Sequence, residues 1–300
     1  VTAVLSRPGE GPREAARQAP PVGVPPDEAV MARAGGENFP VASRVLPRSV
    51  REDLLAIYGF ARLVDQLGDD APGDRLAHLA WLEAELDRAY EDRATHPVMV
   101  RLTATLQRRA LPRQPFVDLI EANRMDQRVS RYPTFADLLG YCSRSANPVG
   151  RLVLVVLGAS TPRREQLSDQ VCTGLQLVEH AQDVGEDARR GRIYLPQEDL
   201  RRFGCPEGDL LEPVASPALR AVVAFQAARA RTFLDAGALL AGSLPGRARL
   251  AVAGFAGGGL AALDAMERAD FDVLSTRCHP SRAGVARRLT EVLAASRRAR

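Results

Sequence analysis

The 300 residues carry 40 basic side chains against 37 acids, and every basic one is Arg; with no Lys, chemistry needing a side-chain amine, such as a Schiff-base aldolase or a P-loop lysine, is excluded. Phosphate recognition is not excluded, because a guanidinium holds phosphate as a planar, bidentate fork; a GC-rich genome yields the same usage. Residues 277–300 hold seven Arg and one acid, which leaves the remainder at a net charge of −3 and rules out a basic nucleic-acid platform there.

Taken in chain order, residues 1–26 contain six prolines and read as a disordered leader. From Asp27 onward helical periodicity is nearly continuous. Ser49 offers an N-cap for Val50, Leu54, Leu55, Tyr58, Ala61 and Leu63. Pro72 and Pro97 stand near later helix starts, where proline is tolerated. Thr134 with Asp137 resembles a cap, and the run Leu152–Leu157 reads as a buried helix because its long flanks are helical. Ser168 is expected to precede a helix running through Asp187, with Gly191 after its end. Further helices are expected at 217–241 and 247–269. The small residues Gly254 and Gly257–Gly259 read as close helix contact, since no strand precedes them to make a dinucleotide loop. The expected organisation is a leader over 1–26, one all-α domain over 27–276 and a solvated basic tail over 277–300.

The four cysteines lie 30, 33 and 73 residues apart and include no C-x-x-C pair, so reduced thiols are expected. The longest uncharged apolar run, Leu250–Leu263, is shorter than the ~18 residues of a membrane span, and a cytoplasmic location is expected.

Two acidic patterns carry chemistry. In the first, Asp65 and Asp69 stand four apart, so an α-helix presents both on one face with Arg62 a turn earlier. In the second, Glu179, Asp183 and Asp187 recur at i, i+4 and i+8. Like charges so spaced repel, which a surface helix gains from only if a cation sits between them. Either pattern alone is also what a water-facing helix shows. Two on separate helices of one bundle would form a Mg²⁺-diphosphate site, with Arg62, Arg189 and Arg192 available to phosphate oxygens. Loss of diphosphate leaves a carbocation, which needs apolar, nearly dry surroundings.

Asp65-xxx-Asp69, the run Tyr141–Gly150 and the block from Gln176 through Asp183 and Asp187 to Pro196 together resemble the squalene/phytoene synthase family, from about Glu37 to Met266. The resemblance implies an isoprenoid-synthase-like helical bundle around a central apolar cavity. It also implies Mg²⁺ on Asp65, Asp69, Asp183 and Asp187, and diphosphate on Arg62 and Arg192. Tyr141 would stand near the ionising centre and Gln176 in the pocket. Glu37–Ser43 aligns with the family's opening Ser-Phe segment, which adds Asn38 and Phe39 as substrate contacts. The chain departs from the family at Asn147-Pro148, at Glu179 (usually Asn), at Gln182 (usually Arg) and at Gln66 (often Asp).

The segments Glu37–Pro40, Ser145–Pro148 and Val178–His180 are most similar to bacterial hydroxysqualene synthases of hopanoid pathways, which convert presqualene diphosphate to hydroxysqualene by water capture of the cation. Polar groups at Asn147 and Glu179 are costly in a cation pocket unless they hold something, and an ordered water is the candidate. Glu179 then either positions or deprotonates that water, or adds a Mg²⁺ ligand; Tyr141, Glu179 and Asn147 form the expected catalytic set. His180 reads as catalytic or as a packing histidine. The expected partners are an isoprenoid diphosphate, pathway enzymes supplying presqualene diphosphate and transient contact with a membrane surface, with no nucleic acid. The rivals are head-to-head squalene- or phytoene-type synthesis, prenylation of a non-isoprenoid acceptor, and a catalytically silent helical partner.

Overall fold

The computed structural model describes residues 20–31 and 45–298. The described chain runs α1 (Asp27–Met31), α2 (Arg48–Asp65), a π-helical turn (Gln66–Asp70), α3 (Arg75–Tyr90), α4 (Pro97–Arg109), α5 (Gln114–Asp126), α6 (Phe135–Ser145), α7 (Asn147–Val156) and α8 (Pro162–Gln182). It continues through α9 (Val184–Arg189), α10 (Gln197–Arg202), a 3-10 turn (Glu207–Leu211), α11 (Pro217–Leu234), α12 (Ala236–Ser243), α13 (Gly246–Arg268) and α14 (Arg282–Arg298). Among the described residues there is no strand, only one parallel bridge between Arg131 and Ile193.

Helix starts follow the local chemistry. Thr134 and Asp137 close a reciprocal capping box on α6. Pro97 opens α4 at a position whose N–H needs no partner. Two expected starts shift. α2 begins at Arg48 after Pro47, with no side-chain cap from Ser49. α8 begins at Pro162 on a Thr161 cap, and Ser168 is buried inside it. The sequence between Thr161 and Ser168 is helical in composition, so the earlier cap prevails.

Two apolar cores form. The first gathers α1–α5, including Phe60 edge-on to Phe116 at 4.9 Å. The second gathers α6, α8, α9 and α11–α13. α7 stands between them: Leu152 and Val156 belong to the first core and Leu154 to the second. This agrees with the buried helix expected there. α8 packs on α7, α11, α12 and α13 and is the axis of the second core.

Both expected chain ends need correction. Residues 20–26, assigned to the leader, are seated on the fold: the Val22 carbonyl accepts from His78 at 3.2 Å and that of Pro25 from His96 at 3.1 Å. The basic segment from 277 is no solvated tail. α14 lies across α12 and α13, with Val292 and Ser296 buried, and Arg287 and Arg288 pair with Asp264 of α13. The glycines of α13 permit this: a Cβ on Gly257 would stand 2.8 Å from the Leu289 backbone nitrogen.

Candidate active site

The first acidic segment is not the regular helix that i, i+4 spacing suggests. α2 ends at Asp65 and the chain widens into the π-turn, closed by the Ala71 N–H on the Gln66 carbonyl at 2.8 Å. Such insertions re-aim side chains and recur at functional sites. The Asp69 charge still reaches Asp65. Burial, and then the Asp69 charge, push the Asp65 carboxyl up to about 7, against the opposing pull of Arg62 and Asn123. Asp65 lies deep in the fold yet its side chain is open to solvent, as a group lining a recess is.

The second segment also breaks where a continuous helix was expected. Asp183 leaves helical geometry (φ −97, ψ 14), so α8 and α9 are separate. The stripe survives the break. The Asp183 N–H bonds the Glu179 carbonyl at 2.9 Å, and the Asp187 N–H bonds the Asp183 carbonyl at 2.8 Å. Burial and the Asp183 charge push Asp187 up to about 7; burial and Glu186 raise Asp183, while His279 and Arg190 lower it. Burial pushes His180 down to about 3, so its ring is neutral. Its Nε2 meets Gln176 Nε2 at 3.2 Å; with the amide donating, the ring proton sits on Nδ1, which lies 4.0 Å from Asp187.

The two segments meet. Gly191 adopts φ +83, which turns the chain after α9, and the Ile193 N–H bonds the Ser130 carbonyl at 2.9 Å. The turn delivers Arg192 to Asp69 at 2.6 Å. Beside this bridge, Asp126 at the end of α5 accepts the Tyr141 hydroxyl at 2.7 Å and the Tyr194 hydroxyl at 2.9 Å. Tyr194 stacks on His180 at 3.9 Å, and Tyr132 completes the aromatic cluster.

Of the residues singled out in the sequence, Arg62, Asp65, Asp69, Tyr141, Gln176, Asp183, Asp187 and Arg192 belong to this cluster or its immediate frame. Arg62 keeps a buried Nε without a hydrogen-bond partner, a donor directed at no protein group. Arg189 is not drawn in: its guanidinium lies by Gly185, and Arg190 is the arginine whose charge reaches Asp183 and Asp187. Asn147 is buried, and its Oδ1 accepts from Thr173 at 3.0 Å, so that oxygen needs no water. Glu179 is exposed, and its charge is felt by the thiols of Cys142 and Cys172. Asn38 and Phe39 lie outside the described residues. Asp126, Tyr194 and Arg190 were not anticipated. Asp126 stands between Arg124 and Arg128 like any surface acid. Tyr194 sits in the Ile-Tyr-Leu-Pro run that carried the resemblance.

Among the described residues no three His, Cys, Asp or Glu side chains are grouped closely enough to hold a metal alone. The donor set nevertheless suits Mg²⁺, which takes one or two carboxylates and completes its shell with water and phosphate oxygens. Two carboxylates, Asp65 and Asp187, each with a raised proton affinity and a second acid nearby, and an arginine N–H without a partner beside Asp65, fit a cation together with a polyanion.

Residues 32–284 match the family described as squalene/phytoene synthase. The hydroxysqualene synthase of Rhodopseudomonas palustris is 40% identical over 212 residues, 69% of this chain and 71% of that protein. The 15-cis-phytoene synthase of Synechococcus elongatus is 37% identical over 215 residues, 66% of this chain and 69% of that protein. The crystal structure of squalene synthase HpnC from Alicyclobacillus acidocaldarius covers 82% of this chain and 94% of its own, with TM-score 0.76 and 40% identity. A dehydrosqualene synthase in complex with ligand covers 89% and 94%, with TM-score 0.80 and 26% identity. The all-α fold, the two acidic segments brought to one place and these likenesses agree: the chain belongs to the squalene/phytoene synthase family.

Proposed function

We propose that the protein ionises presqualene diphosphate with Mg²⁺ and captures the rearranged cation with water, giving hydroxysqualene and diphosphate. The observation that carries the diphosphate half is the Arg192–Asp69 contact, which joins the two acidic segments at one place. The hydroxysqualene half rests on the 40% identity to the Rhodopseudomonas enzyme and on Glu179, an acid near the cluster in place of the usual Asn.

Asp65, Asp69, Asp183 and Asp187 are the residues that would hold Mg²⁺. When bound, Mg²⁺ supplies charge neutralisation that lets diphosphate leave. Arg62 offers its unpartnered Nε to a phosphate oxygen, and Arg192 and Arg190 bring further positive charge to the same end. Tyr141, Tyr194 and neutral His180 form a wall without formal charge, so no ammonium or imidazolium there opposes a developing carbocation. Glu179 is the group for the capturing water, or an added Mg²⁺ ligand.

Phytoene synthases at 37% identity keep head-to-head synthesis as the second reading. Purified protein with Mg²⁺ is offered presqualene, farnesyl and geranylgeranyl diphosphates in turn, and products are read by mass. Hydroxysqualene from the first is expected. Phytoene from geranylgeranyl diphosphate, with presqualene diphosphate untouched, would establish the second reading instead.

A further inference from the structure

We propose that Asp126 is a positioning residue of this site, a single carboxylate that collects the phenol protons of Tyr141 and Tyr194 and fixes both oxygens relative to the reacting cation. The proposal rests on the reading of the site as one that ionises a prenyl diphosphate. The three side chains come from separate parts of the chain. Asp126 ends α5, Tyr141 lies on α6, and Tyr194 follows the Gly191 turn, 68 residues beyond Asp126. Each Asp126 oxygen takes one phenol, Oδ2 from Tyr141 and Oδ1 from Tyr194, so the carboxylate is divided between two donors.

The consequence is directional. A phenol whose proton is given to a carboxylate cannot turn that proton toward a carbocation, and its remaining lone pairs must point elsewhere than Asp126. Hydrogen bonds to an ionised acceptor are also about twice as strong as neutral ones and enrich the phenol oxygen in electron density. Tyr141 and Tyr194 lie 5.3 Å apart ring to ring, and His180 stacks on Tyr194, so fixing one phenol constrains the others. Burial, and then the Asp126 charge, hold both phenols far above the usual tyrosine range, so they stay protonated and are not consumed as tyrosinates by the cation. Arg192, held by Asp69, lies close enough for its charge to favour ionised Asp126. The carboxylate thus ties the aromatic wall to the diphosphate end.

A double-mutant cycle on Asp126→Asn and Tyr141→Phe tests this. The assay is Mg²⁺-dependent pyrophosphate release from whichever of presqualene, farnesyl or geranylgeranyl diphosphate the wild type turns over. If Asp126 acts through Tyr141, Asp126→Asn lowers kcat about 10- to 100-fold with KM nearly unchanged, and costs under about threefold in the Tyr141→Phe background. Tyr194→Phe, which leaves the Tyr141 bond intact, costs less than Asp126→Asn. The tyrosine doublet in the Raman spectrum, which reports strong donation by a phenol, shifts in Asp126→Asn without substrate. Should that variant not fold, Asp126→Glu, which keeps the charge and displaces it by one methylene, takes its place in the same cycle. Additive losses, an unshifted doublet, or a lowered melting temperature with unchanged kcat would each overturn the role of Asp126. No turnover of any of the three substrates by the wild type would overturn the functional reading instead.

Discussion

Asp65 and Asp187 carry the same conflict in two places, each a carboxylate surrounded by protein and acted on by the charge of a second acid, with a proton affinity raised to about 7. Folding therefore favours their protonated forms. The resulting stabilisation is full below the ordinary carboxylate range and is lost as pH rises through about 7. Asp126, pushed up to about 6 mainly by burial, acts in the same direction. Asp183 is raised in the same sense, and neutral burial of His180 acts in the opposite direction below its ordinary value of 6.5, one group against four. Glu85, where hydrogen bonds from His96, Thr95 and Arg88 outweigh burial, loses its contribution only as pH falls below the ordinary range for a glutamate. Metal-free protein should therefore melt higher near pH ~5.5 than near pH ~8. Asp65→Asn should flatten that difference and raise the melting temperature at the higher pH while abolishing turnover. Thermal melts of the two proteins across pH decide it; an equal slope in the variant would remove Asp65 from the account. The acids themselves were legible because spacing alone marks two carboxylates on one helix face. Asp126 was not, because its meaning lies in Tyr141 and Tyr194, and tertiary proximity leaves no period in the chain.

At the scale of elements, helix starts are legible in the sequence where the determinant is local. The Thr134–Asp137 box and Pro97 each act within one turn of the helix they start. Interruptions imposed from outside the helix are not legible. The π-turn at Gln66–Asp70 and the break at Asp183 keep a helical residue pattern, yet both backbones depart from the α-helix at the acids. The small residues of α13 fall between these cases. Close packing was expected of them, but which glycine makes the contact depends on α14. A Cβ at Gly257 would meet the α14 backbone, whereas one at Gly258 meets nothing within 4 Å. Gly257→Ala should then cost about 1–3 kcal/mol through displacement of α14. Gly258→Ala should stabilise by up to about 1 kcal/mol, the difference in helix propensity. Denaturant midpoints of the two variants read the contrast, and equal effects would mean that α14 does not press on α13 as described.

The whole molecule places its site on a seam. Leu63, Val64 and Leu67, around the first acidic segment, belong to the first core; Val178, Ala181 and Val184, around the second, belong to the other. An all-α bundle followed from periodicity, but the division into two cores did not, because a helix's apolar face does not name the helix it meets. Across that seam the acids crowd negative charge, and the Arg62 Nε has no hydrogen-bond partner. Neither Mg²⁺ nor pyrophosphate alone answers both. Mg²⁺ leaves the arginine donor unpaired, and pyrophosphate adds negative charge beside the carboxylates. Together they should bind with strong positive coupling and raise the melting temperature well beyond the sum of their separate effects. At one hundred times the dissociation constant the pair would contribute about 2.7 kcal/mol. Differential scanning of the protein with Mg²⁺, with pyrophosphate and with both measures the coupling, and Arg62→Gln should weaken the combined shift more than that of Mg²⁺ alone. Purely additive shifts would mean that the two acidic segments do not share one ligand, and that the Arg192–Asp69 contact holds the seam shut as a structural tie.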